Sequence, residues 1–239
     1  MHLLAMTPRN PGQRYEPFEE SRVALMLLPA AQPADLMSRH ASGNDLLRAA
    51  ITCLTGKTAD VDVRRPRGAA PSTSTVDVGL SLSGCPGLQV AMAAPAICGI
   101  DVESVISHAR AQRVARQLSS AESVAVHSQY DLATATTSTW VLKEAYAKYL
   151  GVGLTRDLRS YHLVLDGNVI NCRDDRLPTG IPTPALALLQ EGPYLLGVAV
   201  RASRRTHFTI AYHRREAFEA PGYRSTIVVD HVGPDPEPA

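Results

Sequence analysis

No stretch of this chain reaches the roughly 18 to 20 consecutive apolar residues that a membrane-spanning helix needs. The opening MHLLAMTPRNPG is too short and too broken by proline to read as a secretory signal, so the expected setting is cytoplasmic, with no membrane partner. No CxxC pair links the four cysteines, Cys53, Cys85, Cys98 and Cys172. Their wide spacing argues against a zinc knuckle or a disulfide framework and for buried free thiols. Neither sign of charge is in excess: 24 basic residues face 23 acidic ones, a formal net charge of +1. Bulk electrostatics therefore predicts no nucleic-acid partner, and any ionic ligand must be recognised locally. The eight histidines show no HxxxH-type spacing for a metal. Lysine is scarce: Lys57, Lys143 and Lys148 are the only three, and two of them lie within six residues of each other. Arginine and lysine are not interchangeable, so this pair either marks a place for a compact point charge or falls there by chance.

What is present is the composition of an ordinary globule. At 239 residues, 45% of them hydrophobic, the chain can bury a core as one large domain or two small packed ones. Residues 1–20, rich in proline, glycine and charge, read as a flexible arm, and 217–239, ending VGPDPEPA, as a tail. Two similar halves lie between them, 21–100 and 101–216. In the first, RVALMLL (22–28) reads as a buried strand, NDLLRAAITCLTG (44–56) as an amphipathic helix and DVDVR (60–64) as a strand. VDVGLSLS (76–83) and LQVAMAA (88–94) follow as strands joined by the turn GCPG, and CGIDVES begins another. In the second half SSAE (119–122) resembles a capping box, and a long helix runs from about Asp131 to Leu150, stopped by GVGL at Gly151. YHLVLDG, NVINC, ALALLQ, YLLGVAV and HFTIAYH then read as a meander with turns at Gly167, Pro182 and Gly192. The strands lie too close together for repeated βαβ crossovers. The expected fold class is α+β, each half placing a helix on a small antiparallel sheet, with GIDVE (99–103) at the junction.

In a strand, side chains alternate, so Asp101 and Glu103 project from one face while Ile100 and Val102 take the other. Two carboxylates side by side repel, and a hard divalent cation such as Mg²⁺ is their natural partner; the bland reading is a solvated strand end. In TSTWVLKEAYAKYLG, Trp140, Glu144 and Lys148 recur every four residues and stack on one helical face. Blandly, Glu144 and Lys148 form an exposed ion pair worth about 0.3 to 0.5 kcal/mol and Trp140 is a core anchor. Functionally, Trp140 docks the helix, Glu144 joins the two strand carboxylates, and Lys148 and Lys143 meet a phosphate.

GIDVE followed about 40 residues later by WVLKEAYAKYLGVGL resembles the paired signature of the 4'-phosphopantetheinyl transferases of the surfactin-synthetase type. GPYLLGVAV and LLRAAITCLTG resemble the late strand and early helix of that family. The resemblance implies a monomer built as a pseudo-twofold pair of subdomains, with coenzyme A and Mg²⁺ in the cleft between halves. It implies Asp101, Glu103 and Glu144 around the metal, Lys148 against the pyrophosphate, and Glu144 or a metal-bound water as base. It further implies that a serine of an acyl or peptidyl carrier protein attacks the β-phosphate, releasing 3',5'-ADP, in secondary-metabolite biosynthesis. Ser81, Ser83, Lys143, Lys148 and Arg48 are the candidate coenzyme A contacts, and Glu122 is expected to be structural or to face the carrier. The chain departs from the pattern upstream of GIDVE. SLSGC carries Gly84 where the family shows a histidine, and RGAAP lacks the lysine of a GKP turn, leaving Arg64, Arg65, Arg67, Arg39, His40 and Arg48 as alternative phosphate anchors. Two alternatives stay open beside the transferase: a relative redirected to another small-molecule reaction, and a silent carrier-protein-binding module. The basic stretch RASRRTHF with HRRE (201–216) offers either a surface for an acidic carrier or a solvated strand face.

Overall fold

The structure, a computed structural model, describes residues 1–6, 20–29, 36–57, 61–152, 157–166, 168–177, 179–182, 184–201, 205–212 and 222–230. In chain order its elements are β1 (His2–Met6), β2 (Glu20–Pro29), α1 (Leu36–Thr55), β3 (Gly79–Cys85), β4 (Leu88–Ala94) and β5 (Cys98–Ser104). There follow α2 (His108–Ala115), α3 (Ser120–His127), α4 (Leu132–Tyr149), β6 (His162–Asp166), β7 (Val169–Arg173), β8 (Pro184–Glu191), β9 (Tyr194–Arg201), β10 (Arg205–Tyr212) and β11 (Gly222–Asp230).

Alternation along the strands sets the layers. In β2, Val23, Leu25 and Leu27 turn to one side and Met26 and Leu28 to the other, and all are buried, so the strand must be covered on both faces. The first side meets Ile100, Val102, Leu196 and Val198 of the second sheet in the central core, and the other packs on Leu46, Leu47, Ala50 and Ile51 of α1. The second sheet repeats the arrangement: Leu186, Leu188, Leu195 and Ala199 face Val141, Leu142, Ala145 and Tyr146 of α4. The molecule is thus α+β, layered as α1, five-stranded sheet, six-stranded sheet and α4. The five-stranded order is β11-β10-β2-β4-β3 and the six-stranded order β5-β9-β8-β1-β7-β6.

Several expectations change. His2–Met6 is a strand of the six-stranded sheet, not part of an arm: Ala5 packs against the α4 side and Leu3 against the central core. Gly222–Asp230, expected within the tail, pairs along β10. A border at 100/101 does not separate the sheets, because β5 spans it, β1 joins the second sheet, and β10 pairs in parallel with β2. Together with the parallel β1–β7 contact, this makes both sheets mixed rather than antiparallel. In DVDVR, Val61 and Val63 are buried and Asp62 and Arg64 exposed as in a strand, yet only an isolated bridge from Arg64 to Ser72 forms. Helix α1 begins eight residues earlier than its amphipathic stretch, at Leu36 rather than residue 44, and α2 was not foreseen. Residues 7–19 of the arm, Asp60, Gly153 and Leu154 of GVGL, the turn at Gly167, residues 202–204 and 213–216, and VGPDPEPA lie outside the described residues, as do the side chains of Arg39 and His40.

The helices that matter for the site are capped as expected. Ser119 and Glu122 form a capping box at the start of α3. Asp131 caps α4 by accepting from the N–H groups of Ala133 and Thr134, and Gly151, at φ +69°, ends it. The first half of α4, ATATTST, is a poor helix former, but Thr136, Thr137, Ser138 and Thr139 are buried, and packing overrides propensity.

Candidate functional site

From Thr136 to Tyr149 every residue of α4 is buried except Trp140, Glu144 and Lys148, which are half-buried. The four-residue spacing thus becomes a single half-exposed stripe, and the charges of Glu144 and Lys148 act on Asp101 and Glu103 of β5 across the gap between the two elements, the candidate cleft. Opposite it, β5 turns Ile100 and Val102 into the central core and presents Gly99, Asp101 and Glu103 toward the helix. Two glycines set how deeply α4 sits. A Cβ at Gly99 would lie 2.0 Å from the Ala145 carbonyl oxygen and 2.6 Å from the Tyr149 nitrogen. One at Gly197, which pairs with Asp101 across β5 and β9, would lie 2.3 Å from the Val141 oxygen. Helix backbone rests directly on strand backbone there, and no other residue fits.

The strands β3 and β5 belong to different sheets, yet side chains stitch them together. Ser81 Oγ accepts from the Ile100 N–H at 3.0 Å and Ser83 Oγ from the Val102 N–H at 3.4 Å. Ser83 also donates to Asp101 Oδ1 at 2.7 Å. Lys148 completes the seam: its ammonium donates to Asp101 Oδ1 at 2.8 Å, to the Ile100 carbonyl at 2.9 Å and to the Leu82 carbonyl at 3.4 Å. Three N–H groups meet three acceptors, so the ammonium is fully used.

The carboxylates feel one another. Burial, then the charge of Asp101, then that of Glu103 push Glu144 up to about 7, Lys148 opposing. Burial and Asp101 likewise raise Glu103, against Arg110 and Lys148. Cys85, at the end of β3, is pushed up to about 11 by burial and by Glu103 and Asp101. Glu144 Oε1 is buried without a hydrogen-bond partner, a costly state for an acid unless a cation or proton answers it. Among the described residues, no three His, Cys, Asp or Glu side chains are drawn into one metal-binding group; Asp101 is instead engaged by Ser83 and Lys148. Asp101, Glu103 and Glu144 lie near enough to act on one another's charge, and carboxylate oxygens, among them the orphaned buried Oε1 of Glu144, are the donors a hard divalent ion takes, although they are not gathered into a closed ligand set.

Residues 97–199 match the family model ACPS, the 4'-phosphopantetheinyl transferase superfamily. No curated protein matches the chain. The matched stretch runs from β5 into β9 and contains Asp101, Glu103, Glu144 and Lys148, all on the cleft. Ser81, Ser83 and Arg48 precede it.

Other candidates stand elsewhere. Lys143 does not reach the cleft: it is fully buried on the far side of α4, paired with Glu122, so its ammonium has no access to a phosphate. Its burial pulls it down and Glu122 opposes this. Of the two roles expected for Glu122, its full burial and its capping-box bonds fit the structural one. Arg48 is held on α1 by Asp45 and the Val61 carbonyl, Arg64 by Asp62, and Arg65 lies against Gly43. Gly84 is exposed, and a Cβ there would meet Gln89. Trp140 is neither core anchor nor dock; α4 docks through Val141, Leu142, Ala145, Tyr146 and Tyr149. Sequence reasoning missed Gly197, whose signal was a glycine inside an apolar strand, and Arg110 and Cys85, which carried none. A cavity of about 290 Å³ opens beyond α4 toward Leu163–Leu165, but both of its acids are already taken, Glu122 by Lys143 and the Leu163 N–H and Asp131 by the first turn of α4.

Proposed function

We propose that the protein transfers the 4'-phosphopantetheine group of coenzyme A to a serine of an acyl or peptidyl carrier protein, acting as a monomeric, divergent transferase of the surfactin-synthetase type. The observation that carries this reading is the convergence of Asp101, Glu103, Glu144 and Lys148 on one cleft within the stretch that matches the superfamily. The two helix-on-sheet layers support a pseudo-twofold pair of subdomains. Asp101, Glu103 and Glu144 would hold Mg²⁺, which when bound neutralises pyrophosphate charge.

The chain's own residues do the rest. The carrier serine Oγ forms a bond to the β-phosphorus as the bond from that phosphorus to the bridging oxygen breaks, and 3',5'-ADP leaves. Glu144 takes the serine proton as general base. Lys148 balances charge on the departing group; to do so it exchanges its longest contact, the 3.4 Å bond to the Leu82 carbonyl, for a phosphate oxygen. Ser83 holds Asp101. Ser81 and Ser83 spend their hydroxyls on β5, so any contact they make to coenzyme A comes from the same atoms that stitch the seam.

A redirected relative is the second reading, favoured by the burial of Lys143, which leaves Lys148 as the one lysine ammonium seen in the cleft among the described residues. Incubation with coenzyme A, Mg²⁺ and several apo carrier proteins, followed by weighing the carriers, separates the readings. One phosphopantetheine group gained, and lost in Glu103→Ala, supports transfer. Metal binding with no coenzyme A binding and no gain supports redirection.

A further inference from the structure

Glu122 on α3 and Lys143 on α4 are both at 0% exposure, 2.5 Å apart, and the proposed chemistry uses neither. Lys143 also donates to the Tyr161 carbonyl at 2.8 Å and stands 4.4 Å over the Tyr161 ring. Glu122 accepts further from the Leu163 N–H at 2.7 Å and the Ser119 N–H at 2.9 Å, and the Tyr161 hydroxyl donates back to the Lys143 carbonyl at 2.9 Å. The network ties the start of α3, the middle of α4 and the entry to β6 at one point. A buried ion pair gives little net stability over an apolar pair of the same size, so stability does not account for it. What it fixes is geometry. Lys143 immediately precedes Glu144, about 100° round the helix, and anchoring one in the interior sets the angle at which the other meets the cleft.

We propose that the buried Glu122–Lys143 pair is a positioning device that sets the rotation of α4 and thereby aims Glu144 and Lys148, a role that rests on the transferase reading above. Trp140, the chain's single tryptophan, lies one turn before Glu144 on the same half-buried stripe. Its emission therefore reports the helix angle independently of turnover.

The test is the charge-free double variant Glu122→Gln/Lys143→Met of the full chain. Both charges leave together, so it is expected to fold with a melting temperature close to wild type. Turnover is expected to fall by about 100-fold, the scale of a misplaced catalytic group, while KM for coenzyme A changes less than threefold and Trp140 emission shifts. Wild-type turnover overturns the proposal, as does a loss of turnover with unmoved Trp140 emission. If the double variant fails to fold, Glu122→Asp keeps the charge but withdraws it by one methylene. It should lose turnover at least tenfold with Trp140 emission shifted; unchanged turnover and emission overturn the proposal. If the wild type transfers nothing to any carrier, the transferase reading falls on its own, and Trp140 emission alone decides whether the pair sets the helix.

Discussion

Replacing Glu144 by glutamine reads the electrostatics of the cleft directly. Burial, Asp101 and Glu103 together outweigh Lys148 and raise Glu144 from 4.5 to about 7. A carboxyl raised in the folded state contributes stability that is complete below its unfolded value near 4.5 and is lost as pH rises through about 7. At roughly 1.4 kcal/mol for each pH unit the full displacement corresponds to about 3 kcal/mol. Glu144 is only half-buried, and solvent screening reduces this to about 1 to 2 kcal/mol. At pH 5 the wild-type side chain is mostly protonated and resembles an amide, so Glu144→Gln should change little. At pH 8 in a chelating buffer the variant should melt higher than wild type by roughly 2 to 8 °C for a chain of this size. Differential scanning calorimetry at pH 5, 6, 7 and 8 measures the gap. Added Mg²⁺ should close it at pH 8 by stabilising wild type alone, while transfer activity is lost in the variant throughout. Parallel melting curves, with a gap that does not change between pH 5 and pH 8, would refute the argument that the cleft holds Glu144 at an unfavourable charge.

Three further outcomes follow from the packing. Gly197→Ala would bring a methyl to 2.3 Å from the Val141 oxygen, so α4 must lift; overpacking costs about 1 to 3 kcal/mol, and an unchanged thermal melt would contradict the close approach. Ser83→Ala removes the hydroxyl that bonds Asp101 and the Val102 N–H, and should lower unfolding free energy in urea by about 1 to 2 kcal/mol with a tenfold or greater drop in transfer; full activity would show that Asp101 needs no second holder. Lys148→Met takes a donor from the Ile100 carbonyl and leaves Asp101 without its counter-charge, so stability and transfer both fall, and Lys148→Arg should not restore transfer because a planar guanidinium cannot reproduce three converging ammonium bonds; recovery in the arginine variant is the contrary result.

Local signals carried much of the fold because each acts over a few residues. The hydrophobic runs of β2, β4, β8 and β9, the Ser119 capping box and the Gly151 stop all stand near where the chain pattern places them. What local signals cannot convey is partner choice. HLLAM carries too little alternation to announce itself, yet it becomes β1 because β8 and β7 leave a slot that Ala5 and Leu3 fill from both faces. DVDVR alternates correctly, with Val61 and Val63 inside, and still makes one bridge, since strand status depends on a neighbour being there. The same logic sends β10 back to β2 and β11 onto β10, which no reading of either segment alone could supply.

The site divides along a similar line. Spacing alone placed Asp101 with Glu103 and Glu144 with Lys148, because period two and period four are properties of single elements. Their meeting depends on a feature of no single element: glycine on β5 and on β9, at Gly99 and Gly197, lets α4 fall onto the sheet until its stripe faces the strand carboxylates. Lys143 shows why residue type cannot replace azimuth. It neighbours Glu144 in sequence and shares a charge with Lys148, yet one step round the helix takes it from the cleft to the interior, where Glu122 meets it. The two serines make the complementary point. Ser81 and Ser83 are candidate ligand contacts by sequence, and their hydroxyls accept from N–H groups that β5, an edge strand of its sheet, would otherwise leave unpaired. The hydroxyls that stitch the sheets together are therefore also the candidate coenzyme A contacts, and Ser81→Ala or Ser83→Ala is expected to lower stability and transfer together.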